Sequence, residues 1–152
     1  MKDKILFAED NNDLRRSTLD ILERLTGKRD FNRESTTKVH GEDLVRRIDK
    51  TRKTLSEIEI ITAKDGEEAI KLIREFAEQI VFVLTDMRMP LANGNQVARE
   101  ALSREIPVAI CSATLEDISP DIKDQLSVTL EKPIDFTKYL DILELVEAQI
   151  TT

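Results

Sequence analysis

Of 152 residues, one is cysteine, one is histidine and none is tryptophan. The lone thiol, Cys111, cannot close an intrachain disulfide, which removes the small cross-linked scaffolds and agrees with a reducing cytoplasm. A single Cys and a single His also remove the Cys/His sets that hold structural zinc. With four glycines and four prolines, the chain is neither collagen-like nor a low-complexity linker. Aromatic residues make up 4%, so a core must be built from Ile, Leu, Val and Ala. Long apolar runs are absent as well. The longest aliphatic stretch, Ile80-Val81-Phe82-Val83-Leu84, falls far short of the ~18 residues of a membrane helix. The charged start, Lys2-Asp3-Lys4, precedes too few apolar residues for a secretory signal. Excess positive charge is missing too: the net charge of −7 argues against general nucleic-acid binding.

What remains is 40% hydrophobic and 35% charged, enough for one globular domain that buries roughly two-thirds of its unfolded surface. Short aliphatic runs at Ile5–Ala8, Ile58–Thr62, Val81–Thr85, Val108–Cys111 and Val128–Leu130 read as strands covered on both faces. Between them lie stretches of helical period. Leu14, Thr18, Ile21, Leu22 and Leu25 share one face, after an N-cap at Asn11 or Asn12. Ala69, Ile73, Phe76, Ala77 and Ile80 share another, with Asp65 as N-cap. Val97, Ala98, Ala101 and Leu102 mark a third helix after the Asn93-Gly94 turn. Ser119-Pro120 opens a short fourth, and a fifth runs from Asp135 towards Ile150. Five strands alternating with five helices predict an α/β fold with a parallel sheet.

Residues 27–57 interrupt that rhythm, because a direct helix-to-strand connection needs roughly 2–6 residues. They carry nine basic and six acidic residues, a net of +3 that leaves −10 for the rest. The segment reads as an insertion within one domain. Leu44, Val45, Ile48 and Leu55 predict a helix over about 42–56. Topology places its emergence at the end of the sheet away from Asp86, next to an edge strand that it would shield, as a structural flap or partner-recognition element. The last helix has an apolar arc widened by Ile142 and Leu145 beyond one buried face. Contact with neighbouring loops and a homodimer or partner face over 135–150 both account for it.

In an open parallel sheet, ligands gather at the carboxyl ends of the strands. Those ends present Glu9 and Asp10, then Asp86, Ser112 and Lys132. Three carboxylates brought together stay ionised only with a cation among them, and hard oxygen donors with room for water suit Mg²⁺. Lys132 supplies a point charge for a phosphoryl oxygen and Ser112 a hydroxyl donor. Asp86 is then free to act as nucleophile, as an aspartate does in forming an aspartyl phosphate.

The segments KILFAEDNNDLRR, LTDMRMPLANG, PVAICSA and LEKPID, in that order, resemble the receiver domains of two-component response regulators. The resemblance covers residues 4–26 and 58–150. It implies a flavodoxin-like, doubly wound five-stranded sheet of order 2-1-3-4-5 and a single receiver domain over residues 1–152, with the 27–57 insertion inside it and no output domain. It implies that Asp86 is the phospho-acceptor and that Asp10, Glu9, Asp86 and the backbone carbonyl of Arg88 hold Mg²⁺. Lys132, Ser112 and the N–H groups of Met87 and Ala113 would contact the phosphoryl group. A sensor histidine kinase or phosphotransfer protein would be the donor and a downstream protein the target, with neither nucleic acid nor membrane as partner. Pro90 and Gly94 match the turn after the acceptor. Members of the family often carry an aromatic residue where Thr129 stands, so the usual swing of that ring cannot carry the signal here. Two rival readings come from other classes. A receiver-like scaffold that is never phosphorylated would have lost a site residue, and all five are present. An Asp-nucleophile phosphohydrolase of the haloacid type would need an acid where Arg88 stands.

Overall fold

A computed structural model of the chain describes residues 1–151. Five parallel strands, β1 (Lys4–Ala8), β2 (Glu59–Ala63), β3 (Ile80–Asp86), β4 (Val108–Ser112) and β5 (Val128–Glu131), form one sheet in the order β2-β1-β3-β4-β5. Every residue of β3 is buried, as the continuous apolar run requires of a central strand covered on both faces. Alternation along the strands sorts the core into two layers. Ile5, Phe7, Ala109 and Cys111 face one way, and Leu6, Ala8, Val108 and Ile110 face the other.

The predicted helices are α1 (Asn12–Leu25), α4 (Gly66–Phe76), α5 (Gly94–Ser103), α6 (Pro120–Lys123) and α7 (Phe136–Ile150), with α2 and α3 inside the insertion. Local chemistry sets their starts. The side chain of Asn11 accepts the Leu14 N–H at 2.9 Å and that of Asp65 accepts the Glu68 N–H at 2.7 Å. Asn93 and Gln96 close a reciprocal capping box at α5, satisfying two donors that the first turn cannot. Helix α6 is four residues long, beginning at Pro120, and is preceded by a 3-10 turn at Leu115–Asp117.

The insertion departs from expectation. The expected helix of the insertion is present as α3 (Glu42–Thr54), but an unexpected one, α2 (Arg33–His40), precedes it and pairs with it in a hairpin, which makes seven α-helices among the described residues. The single residue between them, Gly41, has φ +90°, a left-handed conformation that glycine adopts without a Cβ penalty. Instead of lying along edge strand β2, α3 packs on α1 and α7 and buries Leu44, Val45, Ile48 and Thr51. The reason is that the apolar stripe on α3 joins one core with Leu140 and Leu143 of α7. The widened arc of α7 lies on another side of that helix: Ile142, buried, and Leu145, 41% exposed, line a groove beside β5. Charge reinforces the fit. Arg47 grips Glu144 at 2.6 and 3.0 Å and Asp141 at 2.8 Å, and Lys50 lies 3.5 Å from Glu147. The basic excess of the insertion thus meets the acidic face of α7. The segment does leave the sheet at the end away from Asp86, since Glu59 pairs with Lys4 at the strand starts. It then climbs back: the His40 ring meets Phe136, the first residue of α7, edge-on at 5.0 Å.

Candidate functional site

Strand geometry delivers the acidic residues to one place. Glu9 and Asp10 follow β1, Asp86 ends β3, and Lys132 follows β5, held in register by its N–H donating to the Ser112 carbonyl at 2.9 Å. Carboxylate oxygens of Glu9, Asp10 and Asp86 all lie within 4.8 Å of one another. Glu9 and Asp86 are buried, at 3% and 6% exposure, whereas Asp10 is exposed. The Lys132 ammonium makes a short ion pair with Asp86 and stands 3.7 Å from Glu9.

Burial pushes the Glu9 acid up to about 7, helped by the charge of Asp86 and by Asp10, against the Asn11 N–H and the Lys132 charge. Burial opposes the Lys132 charge, but its hydrogen bond to Asp86 and the carboxylates of Asp86 and Glu9 outweigh that and hold the ammonium above its ordinary value. Three acidic groups with one cation leave a local excess of negative charge, and a divalent ion relieves it. The donor set is all oxygen, with one exposed member facing water, and it fits Mg²⁺ better than a softer metal.

Gly94 shapes the loop beyond Asp86. A Cβ there would fall 2.6 Å from the Asp86 carbonyl and 2.9 Å from Met87 Cα. Only glycine lets α5 start that close, with its N–H donating to the Met87 carbonyl at 2.8 Å.

Two expected donors differ from each other. The Met87 N–H donates to the Cys111 carbonyl at 2.9 Å, which corrects its expected place in the pocket: β3 continues its ladder one residue past Asp86. The Ala113 N–H has no partner among the described residues. Ser112 is not yet turned to the cluster, since its Oγ donates to the Thr114 carbonyl at 2.8 Å and accepts the Thr114 N–H at 3.1 Å. Thr129 lies half-buried on edge strand β5.

Two cavities flank Asp86. One, of about 500 Å³, runs between α1 and the start of α7 with Leu14, Thr18, Ile134 and Tyr139 on its walls. The other, of about 530 Å³, is open and carries Asp10, Arg88, Asn95 and Asp117. Asn95 and Asp117 were not legible as site residues. The only signal was a second asparagine beside Gly94, where a single one suffices as cap. Cys111 is buried beside Asp86, and burial pushes its thiol up to about 12.

No family model matches the chain. An uncharacterised response regulatory protein of Staphylococcus epidermidis is 33% identical over 88 residues, 57% of this chain and 34% of that protein. The chain thus spans about a third of the length of the curated relative it matches. Among solved structures, a response regulator receiver domain protein from Clostridium thermocellum superposes with a TM-score of 0.69 at 18% identity, over 97% of this chain and 96% of that one. The response regulator protein TrrA from Thermotoga maritima, crystallised in complex with Mg²⁺-BeF, gives 0.61 at 20% identity, over 96% and 99%. The chain has the receiver-domain fold.

Proposed function

We propose that this chain, folded as a receiver domain, is a phospho-acceptor in a two-component phosphorelay and that Asp86 takes the phosphoryl group. The observation that carries the reading is the convergence of Glu9, Asp10, Asp86 and Lys132 from three strand ends onto one buried carboxylate. A carboxylate oxygen of Asp86 attacks phosphorus in line. The P–N bond of a donor phosphohistidine breaks, and its electron pair leaves with the imidazole nitrogen, which takes up a proton. Lys132 is placed to move from the Asp86 oxygen to a phosphoryl oxygen, offsetting charge as the donor departs. Ser112 and the Ala113 N–H supply two further donors once Ser112 leaves Thr114. Asp10, Asp86, Glu9 and the Arg88 carbonyl would hold Mg²⁺, which when bound neutralises the phosphoryl oxygens.

The donor in this reading is a sensor histidine kinase or a phosphotransfer protein, and the outcome is a changed protein contact, with no turnover of a small substrate. With Arg88 paired to Asp117, no acid stands where a haloacid-type phosphohydrolase needs one. The test is incubation with acetyl phosphate and Mg²⁺, read by intact mass under conditions that preserve acyl phosphates. Wild type should gain one phosphoryl group, and Asp86→Asn or omission of Mg²⁺ should abolish the gain. A wild-type mass that stays unchanged overturns the proposal.

A further inference from the structure

With Thr129 on β5, a charge change at Asp86 needs another route to the surface, and three contacts at the mouth of the site converge on one turn. From the strand end, Ser112 Oγ holds both the carbonyl and the N–H of Thr114. From across the mouth, Arg88 Nη2 holds Asp117 Oδ2 at 3.0 Å. Behind the turn, the buried Asn95 side chain donates to the Asp117 carbonyl at 2.9 Å and accepts the Ser119 N–H at 3.0 Å. Asn95 belongs to α5 and its grip is fixed. The two front contacts are made by residues that border the acidic pocket, so both are open to competition from it.

Arg88 stands two residues past Asp86 with its side chain 79% exposed, along a cavity of about 530 Å³ that Asp10 also lines. Its one charge partner among the described residues is Asp117. A guanidinium held this loosely follows the stronger anion. A phosphoryl group on Asp86 would bring roughly two negative charges and three acceptor oxygens, against the single carboxylate of Asp117. The planar fork of arginine matches such oxygens two at a time, and the open cavity leaves room for the swing.

We propose that Arg88 is a positioning residue that couples the pocket to the surface: on phosphorylation of Asp86 its guanidinium leaves Asp117 for the phosphoryl oxygens. Ser112 turns from Thr114 in the same event. The 114–119 turn, released at both front contacts, rearranges while Asn95 keeps its hold. The inference rests on the phospho-acceptor reading above and goes beyond it by naming the pair that transmits the change.

Hydrogen exchange of the Asp117 and Ile118 amides, with and without beryllofluoride and Mg²⁺, tests it in the full chain, alongside acyl-phosphate mass as the separate measure of loading. In wild type these amides should exchange about threefold faster on loading, the size an exposed ion pair allows. Asp117→Asn keeps the side-chain shape but removes the charge. It should raise exchange by a similar factor before loading and show little further rise after it. Arg88→Ala should behave likewise, and Arg88→Lys, which retains the charge, should restore most of the loading response. Wild-type behaviour in both Asp117→Asn and Arg88→Ala overturns the coupling, as does a wild type that loads with the turn unchanged. A wild type that neither gains mass nor responds to beryllofluoride removes the phospho-acceptor reading and the coupling with it.

Discussion

At Glu9, burial and the charge of Asp86 favour the proton, the Asn11 N–H and Lys132 oppose it, and the acid titrates near 7 instead of near 4.5. The folded chain therefore binds this proton more tightly than the unfolded one does. That contribution to stability is complete below about pH 4.5 and is lost as the pH rises through about 7. In metal-free buffer, urea unfolding should show Glu9 lowering stability across this window, and Glu9→Gln should remove that part of the slope. Mg²⁺ should raise stability more at pH 7.5 than at pH 5, because the ionised cluster is the form that gains from it. A slope unchanged by Glu9→Gln would mean that another group titrates there. Gly94 offers a second check of this scale. A methyl group on it collides with the Asp86 carbonyl, so Gly94→Ala must displace the loop that aims the acceptor. Phosphorylation by acetyl phosphate should slow, by up to about 100-fold if the displacement nears an ångström. An unaltered rate would show that the close approach has no bearing on the reaction.

Helix α3 shows what period and charge can and cannot announce. Its apolar positions, Leu44, Val45, Ile48 and Leu55, were readable from 3.6-residue spacing, and all four are buried. Helix α2 was not readable: it buries no residue, so no stripe marks it, and its N-cap Asn32 is one polar residue among many. The docking place of α3 was misjudged for a related reason. An apolar stripe says that a face is covered without saying by what: the stripe of α3 turned to α1 and α7, and the widened arc of α7 turned to β5. The strands were legible to within a residue because β-branched runs bounded by polar residues have few alternatives. The pocket was legible because each of its residues sits at a strand end, whereas Asn95 and Asp117 depend on how two loops approach. Ile48 gives the energetic test. At 1% exposure between α1 and α7, Ile48→Ala should cost about 2–5 kcal/mol of unfolding free energy. Lys53→Ala, on the exposed side of the same helix, should change little. Equal effects from the two would show that the hairpin is an appendage.

Across the whole molecule, the core on the α1 side joins residues of the insertion to residues of every strand except β2, with Ile60 of β2 packed against it. Shared burial of this kind couples the hairpin to the sheet, and a domain of this size is expected to unfold in one step. Far-UV circular dichroism and Tyr139 fluorescence should give coincident thermal transitions, and an earlier, separate melting of helical signal would show the hairpin unfolding alone. Electrostatics belong to this scale too. The basic hairpin lies against acidic α7, and at high salt its exposed ion pairs weaken while the buried stripe holds, so added salt should lower the midpoint only modestly. The hairpin also changes what the molecule can offer to others. Its two helices form a permanent outer wall over the flank of α1 and α7, so any visitor to that flank meets Arg33, Lys38 and Arg46 before it meets the sheet-packing helices. Recognition there is written in residues that a domain lacking the hairpin does not have, and a partner fitted to such a bare domain would find this side closed.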